Sequence, residues 1–419
     1  MKKTAAFALV PIAILAGTGI GFFGKDMTSG DFSFSSASKL TGKGAPELKP
    51  AEVFLQAYQD IRTHYNEKVS SDDLKNAAMA GAVASLGDPH TIYMEPEFAS
   101  DFLKYTRGQN SYAGIGARLQ EDPAGARIVS VFSGSPAEVA GVEPGDIIKE
   151  VDGVATSGTS VDQIVTRIKG PEGSRVKVQL LRPSTGKMVG TTITRKRIAT
   201  PSVDYVYFDK EKVGYLMVFS FAENTPMQFA TALDQLTKKG MKGLVIDLRG
   251  NPGGLLESAR LMLSQFASNK LVVRTVGRDP SKEESVYTYP DFERVIDYKI
   301  AVLQNEGSAS ASEIFAGVMR DYKLARLFGE HTYGKSSVQQ MYGLNNRAAV
   351  KVTVAKYFLP SNTDIMRKLD ENGQYLSGGL KPDVEVKLGL GPNTVMGHPE
   401  KDNQLKAAID YVLSRPAKG

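Results

Sequence analysis

The chain of 419 residues contains no cysteine. This absence excludes a disulfide framework, a thiolate nucleophile and any metal site with cysteine ligands. Histidine is also scarce, and its four residues are scattered along the sequence, which argues against a histidine metal cluster. We therefore expect neither a metal nor another cofactor. The hydrophobic content of 42% is sufficient for two or three domains, each with its own core.

A strong net charge is missing as well. The formal charge is +5, and residues 1–50, with six lysines and three acidic residues, account for +3 of it. The remaining +2 is too small to suggest binding of nucleic acid, which usually requires a strongly basic face. We expect no nucleic-acid partner.

The amino terminus has the pattern of an export signal. Lys2 and Lys3 precede an uncharged, largely apolar run from Thr4 to Phe23. A positive start followed by such a run is typical of a secretory leader, and the run is also long enough to span a bilayer. We expect export to the periplasm, with residues 1–25 as a signal peptide or a membrane tether. Residues 26–50, rich in Ser, Gly, Thr and Lys, are typical of a flexible linker.

Residues 51–107 are predicted to be a helical region of about two helices, because Phe54, Tyr58 and Ile61 recur at helical spacing. The segment that follows contains Asp88 and His90 on either side of a proline. A catalytic Asp/His pair is conceivable here, but a tight Gly-Asp-Pro turn with a structural histidine is the preferred interpretation.

Three serines at alternate positions indicate a nucleophile. Ser308, Ser310 and Ser312 follow the apolar run 300–303 and precede a helical pattern that begins at Ile314. This arrangement predicts a strand, a tight turn and a helix. Free N–H groups and the positive end of the helix dipole favour developing negative charge at such a helix start. A flexible serine-rich loop is the alternative.

A serine nucleophile needs a base within hydrogen-bonding distance. Two candidates lie downstream, Lys335 beside a glycine and His331 four residues earlier, and a carboxamide follows at Gln339. A free lysine has a pKa of about 10.4 and is protonated at neutral pH. Lys335 can act as a base only if burial in an apolar pocket lowers its pKa.

A glycine-rich turn follows the apolar run 243–249 and includes Gly253 and Gly254. The run predicts a buried parallel strand, and the alternation of strands with helices predicts an α/β domain. A turn at the carboxyl end of such a strand can direct N–H groups towards an oxyanion. A plain turn that needs glycine for a positive φ is the alternative interpretation.

The segments SASASE and TYGKSSVQ, 25 residues apart from Ser310 to Lys335, resemble those of the tail-specific, or carboxyl-terminal processing, peptidases of the S41 type. The resemblance covers residues 51 to about 413. It implies a Ser/Lys dyad, with Ser310 as nucleophile, Lys335 as general base and Gln339 as the residue that orients the lysine. It also implies an oxyanion hole formed by the following residues: Gly253, Gly254 and Ala311.

Residues 108–196 resemble a PDZ domain, through the series SPAE, PGD and VDG between residues 135 and 153. The resemblance implies that a loop before a strand binds the carboxylate at the end of a peptide through N–H groups, while the peptide pairs with the edge of the sheet. That loop corresponds to Ile115, Gly116 and Ala117. Lys169 stands where many family members have an arginine, which puts a relay of peptide binding to the peptidase domain in doubt.

The implied fold class is multidomain α+β. A helical cap or dimerisation region at 51–107 is followed by a β-barrel-like PDZ domain at 108–196, an α/β peptidase domain of the crotonase-like or ClpP-like kind at 197–390, and a helical tail at 391–419. The implied function is that of an exported serine endopeptidase that cuts proteins near their carboxyl termini. Its expected partners are substrates with a free carboxyl terminus, an activating adaptor protein and further copies of itself.

Two other functions were weighed against this one. The first is a PDZ scaffold with an inactive peptidase domain, which loss of Ser310 or Lys335 would favour, yet both are present. The second is a chymotrypsin-like PDZ protease, which needs a Gly-x-Ser-x-Gly type of nucleophile loop. The sequence contains no such motif.

Overall fold

The amino-terminal unit has three helices where the sequence predicted about two. The computed structural model describes residues 49–109, 111–122, 124–132, 134–199, 201–389 and 396–414. The predicted leader and nearly all of the predicted linker lie outside these residues. Within them, no helix combines the length and the apolar character needed to cross a membrane. The elements of the unit are α1 (Lys49–His64), α2 (Ser71–Ala84), β1 (Ile92–Met94) and α3 (Pro96–Thr106).

The additional helix α3 begins with Pro96, a residue that fits a first helical turn because it has no N–H to satisfy there. It buries Ala99 and Phe102. The first helix behaves differently. Its large apolar side chains are about half exposed, among them Phe54 at 51% and Leu55 at 55%. The described chain therefore covers the apolar side of α3 and leaves that of α1 open.

The second unit is an antiparallel sheet with two helices, of four and eight residues. Its sheet has the order β3-β4-β5-β7-β8, with β6 beside β5, and β2 pairs separately with β9. The strand β8 is mostly exposed, so its sequence has no clear hydrophobic pattern. The elements are β2 (Ser111–Gly114), β3 (Ala117–Asp122), β4 (Gly125–Val131), α4 (Pro136–Val139), β5 (Ile147–Val151), β6 (Val154–Ala155), α5 (Val161–Ile168), β7 (Arg175–Arg182), β8 (Lys187–Thr194) and β9 (Lys196–Ala199).

The third unit contains the remaining elements. They are β10 (Val203–Phe208), β11 (Val213–Val218), α6 (Thr225–Lys238), β12 (Gly243–Asp247), α7 (Leu256–Ser264), β13 (Leu271–Gly277), β14 (Glu284–Tyr287), β15 (Lys299–Gln304), α8 (Ala311–Asp321), β16 (Arg326–Gly329), β17 (Ser337–Gly343), β18 (Ala349–Phe358), β19 (Lys368–Leu369), β20 (Tyr375–Ser377), β21 (Val384–Glu385) and α9 (Asn403–Leu413).

The main sheet of this unit has the order β10-β11-β12-β15-β16-β21. From β11 to β21 all neighbours are parallel, and every residue of β12 is buried, as the unbroken apolar run predicted. The helices α6, α7 and α8 cover one face, and α9 covers the other. Since β12, β15 and β16 are parallel neighbours, the turns at their carboxyl ends meet at one edge of the sheet.

A second sheet is built around the long strand β18. It pairs with β17 along one edge, while β1 and β13 share the other edge. The amino-terminal unit is thus joined to the third unit by backbone hydrogen bonds. The architecture confirms the predicted fold class: a helical region and a PDZ-like sheet precede an α/β domain with a carboxyl-terminal helix.

The carboxyl-terminal helix is held by a buried charged cluster. The guanidinium of Arg249, after β12, lies 2.6 Å from Asp247 and 2.7 Å from Asp402, which precedes α9. It also donates to Gln404 at 2.9 Å. Because all of these groups are buried, the cluster fixes α9 to the strand that leads into the glycine-rich turn.

Candidate active site

Ser310 occupies the turn between β15 and α8, directly before the first residue of the helix. Its backbone has φ +55° and ψ −114°, a region that residues with a side chain rarely adopt. Such strain persists only where the surroundings enforce it, and it is common at functional sites. The strain therefore marks Ser310, rather than Ser308 or Ser312, as the candidate nucleophile.

The two flanking serines hold the turn in place. The hydroxyl of Ser308 donates to the carbonyl of Leu248 at 2.7 Å, and that of Ser312 donates to the carbonyl of Asn251 at 2.8 Å. Both acceptors lie in the segment that follows β12. The alternating pattern therefore has a structural cause, because Ser308 and Ser312 attach the turn to the neighbouring strand end and Ser310 is the serine between them.

Glu313 connects the nucleophile turn with the segment that carries the lysine. One of its carboxylate oxygens accepts the N–H groups of Ser310 and Lys335, both at 2.8 Å. The other accepts the N–H of Gly334 at 2.7 Å and the hydroxyl of Thr332. The side chain is completely buried, which raises its pKa to about 7 against the effect of these donors. Glu313 was not predicted from the sequence as a site residue, although Ser-x-x-Glu at a helix start is a known capping pattern.

Lys335 satisfies the condition set for a lysine base. It is 2% exposed. Burial, followed by the positive charge of Lys351, lowers its pKa to about 7. Its carbonyl accepts a hydrogen bond of 2.6 Å from the buried hydroxyl of Tyr357. A large fraction of Lys335 side chains is therefore neutral at physiological pH and able to accept a proton.

Gln339 lies on β17 with no exposed surface. Its Nε2 donates to the hydroxyls of Ser337 at 2.8 Å and Thr353 at 3.3 Å, which fixes the direction of the amide. Its Oε1 has no hydrogen-bond partner among the described residues. A buried, unpaired carbonyl oxygen is costly, so this atom is available to an ammonium or hydroxyl donor.

The glycine-rich turn lies against the nucleophile. Gly253 has φ +97°, and a Cβ on it would come within 2.6 Å of the carbonyl oxygen of Ala309 and 2.9 Å of the nitrogen of Ala311. The N–H of Gly253 itself donates to Asn251 Oδ1 at 2.9 Å. No acceptor among the described residues takes the N–H of Gly254. Ala311, as the first residue of α8, has an N–H without an intrahelical partner.

The predicted carboxylate-binding loop of the second unit runs between β2 and β3. Gly116 has φ +81°, and its N–H lies within electrostatic reach of the phenolic oxygen of Tyr112. The ammonium of Lys169, at the end of α5, lies 5.3 Å from the centre of the Tyr112 ring. Ile115 is buried in the core of the unit, with Ala117 packed at its edge. Since β3 is the last strand of its sheet, its outer edge is open beside α5.

The two histidines that were weighed as catalytic have different surroundings. The ring of His331 packs on the ring of Tyr375, with 4.7 Å between the centroids. Asp88 accepts the N–H of His90 at 3.0 Å, as the predicted turn requires. The imidazole of His90, however, lies within electrostatic reach of Lys335. Burial and that positive charge lower its pKa to about 4. No pattern in the sequence indicated this proximity.

Comparison with known proteins identifies the family. The profile of "Peptidase family S41" matches residues 212–386, that of "PDZ domain" residues 127–182, and that of "Activating protease CtpB N-terminal domain" residues 14–98. The carboxy-terminal processing protease CtpA of Bacillus subtilis is 35% identical over 334 residues, which are 80% of this chain and 68% of that protein. The chain belongs to peptidase family S41. It is a serine-type carboxy-terminal processing protease with a PDZ domain, as the sequence predicted.

One further relative of this S41 peptidase supports the assignment, and one solved structure shares its fold. A probable CtpA-like serine protease of Staphylococcus epidermidis is 33% identical over 377 residues, covering 88% of this chain and 73% of that one. The solved structure of an S41 protease from Bacteroides fragilis shares the fold, with a TM-score of 0.58, 20% identity and coverage of 88% of this chain and 98% of that one.

Proposed function

We propose that this S41 peptidase cleaves peptide bonds with a Ser310/Lys335 dyad. The observation that carries the proposal is the burial of Lys335 in the segment that Glu313 ties to the strained serine turn. Burial lowers the pKa of Lys335 to about 7, which is near the optimum for a base that works at neutral pH. Gln339, with its unpaired Oε1, would orient the lysine.

The reaction proceeds in two stages. Lys335 takes the hydroxyl proton of Ser310 while Oγ forms a bond to the scissile carbonyl carbon. The C–N bond then breaks, and the proton passes from Lys335 to the leaving amine. In the second stage a water molecule loses a proton to Lys335 and attacks the acyl-enzyme, and the proton returns to Ser310 as the ester bond breaks.

The oxyanion of each tetrahedral intermediate would be held by backbone donors. We assign this role to the N–H groups of Gly254 and Ala311, because neither is used inside the described chain. The third predicted donor, the N–H of Gly253, already has Asn251 as its acceptor. Gly253 would contribute mainly by allowing the turn to approach Ser310. A residue with a Cβ could not take this position, because the backbone around Ala309 leaves no space for it.

The PDZ domain would capture the carboxyl terminus of the substrate. A peptide that pairs with the open edge of β3 places its carboxylate at Gly116, close to the phenol of Tyr112. The peptide carboxylate would therefore compete with Tyr112 for this N–H. Lys169 lies close enough to this ring to attract the incoming negative charge.

The amino-terminal helices would bind a partner, and a second copy of the chain is the proposed one. Val53, Phe54, Leu55 and Ile61 on α1 are all at least 45% exposed, which is unusual for a helix that stays uncovered. Light scattering of the chain without residues 1–25 tests the proposal, because a monomer at all accessible concentrations would contradict it.

An activating adaptor protein is proposed as a further partner. Its addition should raise the rate of cleavage if the resting enzyme is slow.

Export to the periplasm is proposed from the pattern of residues 1–25. A fusion of these residues to alkaline phosphatase, which needs an oxidising compartment, should be active in a bacterial host. The same fusion without Lys2, Lys3 and the apolar run is the control, and equal activity of the two would argue against export.

The deciding experiment is cleavage of an unstructured protein with an apolar carboxyl terminus by the chain without residues 1–25. Ser310→Ala and Lys335→Ala should both abolish cleavage, while His331→Ala should retain it. If His331→Ala lost activity and Lys335→Ala retained it, the base would be His331 and not Lys335. Circular dichroism confirms that each variant is folded.

A further inference from the structure

A second lysine, Lys351, is buried next to the proposed dyad, and the proposed reaction makes no use of it. It lies on β18 and is 1% exposed. Its neighbours across the sheet are Ile92 on β1 and Met341 on β17, whose side chains lie on the same face. Both belong to an apolar cluster that also contains Met94, Ala99, Phe102, Leu255 and Ala349.

Burial of an ammonium group among apolar side chains is unfavourable and usually reflects a function or a partner. The Nζ of Lys351 lies 5.5 Å from the centre of the Phe102 ring, at a distance where a cation and an aromatic face attract each other. The negative charge that acts on it is that of Asp88, before β1. Burial outweighs this attraction and lowers the pKa of Lys351 to about 8.

The face of β18 that carries Lys351 leads to the dyad. Thr353, two residues further on, pairs with Gln339 and accepts its amide N–H at 3.3 Å. The backbone N–H of Thr353 also donates to the hydroxyl of Thr91 at 3.1 Å, and that hydroxyl donates to Asp88 at 2.6 Å. The buried compartment that contains the proposed base thus continues from Gln339 through Thr353 to the site of Lys351.

Charged and titratable groups from several elements act on Lys335. Glu313 of α8 and Asp88 before β1 favour its protonated form, whereas Lys351 of β18 opposes it. His90, also before β1, interacts with both lysines and is neutral at physiological pH. Two like charges in one compartment of low polarity disfavour each other, so a charged Lys351 makes protonation of Lys335 more difficult.

We propose that Lys351 is a positioning residue which keeps Lys335 in its neutral, proton-accepting form by placing a second positive charge in the same buried compartment. This inference rests on the proposed role of Lys335 as base. Lys351 itself does not touch the reacting atoms. It acts below about pH 8, where its own ammonium is charged.

The test measures how fast a fluorophosphonate labels Ser310 as the pH is varied, using the full chain and each variant. Labelling requires the base to be neutral, so the rate should rise with pH and reach half of its maximum near pH 7. In Lys351→Met the like charge is gone, the pKa of Lys335 rises, and the midpoint should move up by about one pH unit. The maximal rate at high pH should remain close to that of the unaltered chain.

Two matched variants separate charge from packing. Lys351→Arg keeps the charge and should keep the midpoint. Lys356→Met removes a positive charge from the exposed side of the same strand, where water screens it, and should also leave the midpoint unchanged. Replacing a buried lysine by methionine in an apolar cluster should not lower the melting temperature.

Each other outcome overturns the inference. An unchanged or lowered midpoint in Lys351→Met would show that its charge does not tune the base. Loss of labelling at every pH, or an equal shift in Lys351→Arg, would show a purely structural role. Lys335→Ala distinguishes these results from failure of the proposed dyad: if that variant keeps the normal pH profile, Lys335 is not the base at all.

Discussion

The proposed catalytic turn and the proposed carboxylate-binding loop are built in opposite ways. At the turn, side chains from distant parts of the sequence fix Ser310 and Lys335, and Glu313 alone accepts four hydrogen bonds there. At the loop, the N–H of Gly116 lies close to the phenol of Tyr112, a residue only four positions earlier. The first site is fixed before substrate arrives. The second must exchange an internal contact for a substrate contact, which lowers affinity and makes binding reversible.

The largest expected effect comes from breaking the fixed site at Glu313. In Glu313→Gln an amide NH₂ replaces one of two oxygens that each accept two donors, so at least two donors lose their acceptor. We expect kcat to fall by more than about 100-fold, because the dyad is displaced. The free energy of unfolding should fall by about 3 kcal/mol. Steady-state kinetics and urea unfolding measure the two effects.

Glu306→Gln is the control for this prediction, since Glu306 lies exposed in the same turn region. It should change neither kcat nor the free energy of unfolding by a measurable amount. A Glu313→Gln variant with near-normal kcat would show that the carboxylate does not hold the dyad.

A somewhat smaller effect is expected from Gly253→Ala. The added methyl group would come within 2.6 Å of the carbonyl oxygen of Ala309, and the turn would have to move away from Ser310. We expect a loss of about 100-fold in kcat, the usual cost of one oxyanion donor. Gly250→Ala is matched in its positive φ but has open space around the new methyl group, so its kcat should fall far less. Equal losses in both variants would contradict the proposed approach of this turn to the oxyanion.

The smallest effect is expected at the exchangeable site. Tyr112→Phe removes the oxygen that competes for the N–H of Gly116, so a peptide carboxylate should bind more tightly, by about five-fold for one neutral hydrogen bond. Fluorescence anisotropy with a labelled peptide, on the Ser310→Ala background, measures the change. Tyr205→Phe, at an exposed position of β10, is the control. Weaker binding in Tyr112→Phe would mean that the phenol assists the peptide rather than competing with it.

Local patterns in the sequence predicted the regular elements well where burial was strong. The buried strand at 243–247 lies within its predicted run, 243–249. The exposed β8 was missed because few of its residues face a core. The segment after residue 364 forms a small hairpin, β19 and β20, which no pattern in the sequence indicated.

The catalytic candidates were also visible in the sequence, because the alternating serines, the lysine beside glycine and the glycine-rich turn are each local. The contacts that bring these residues together were not visible in the sequence. Glu313 belongs to the serine segment, but its acceptor role for Gly334 and Lys335 exists only after α8 and the segment following β16 come together. His90 and Lys351 lie far from both segments in the sequence and approach Lys335 only because β1 and β17 pair with β18.

The sequence by itself determined the family, the order of the domains and the candidates for the nucleophile, the base and the glycine turn, since each depends on residue types at short spacing. Only the tertiary structure decided whether Lys335 is buried as the proposed base has to be. The pKa of a lysine depends on how much water it loses and on which charges surround it, and both follow from contacts between segments that are remote in the sequence. For the same reason, only the fold shows that Tyr112 lies close to the predicted carboxylate loop and that a second lysine is buried within electrostatic reach of the first.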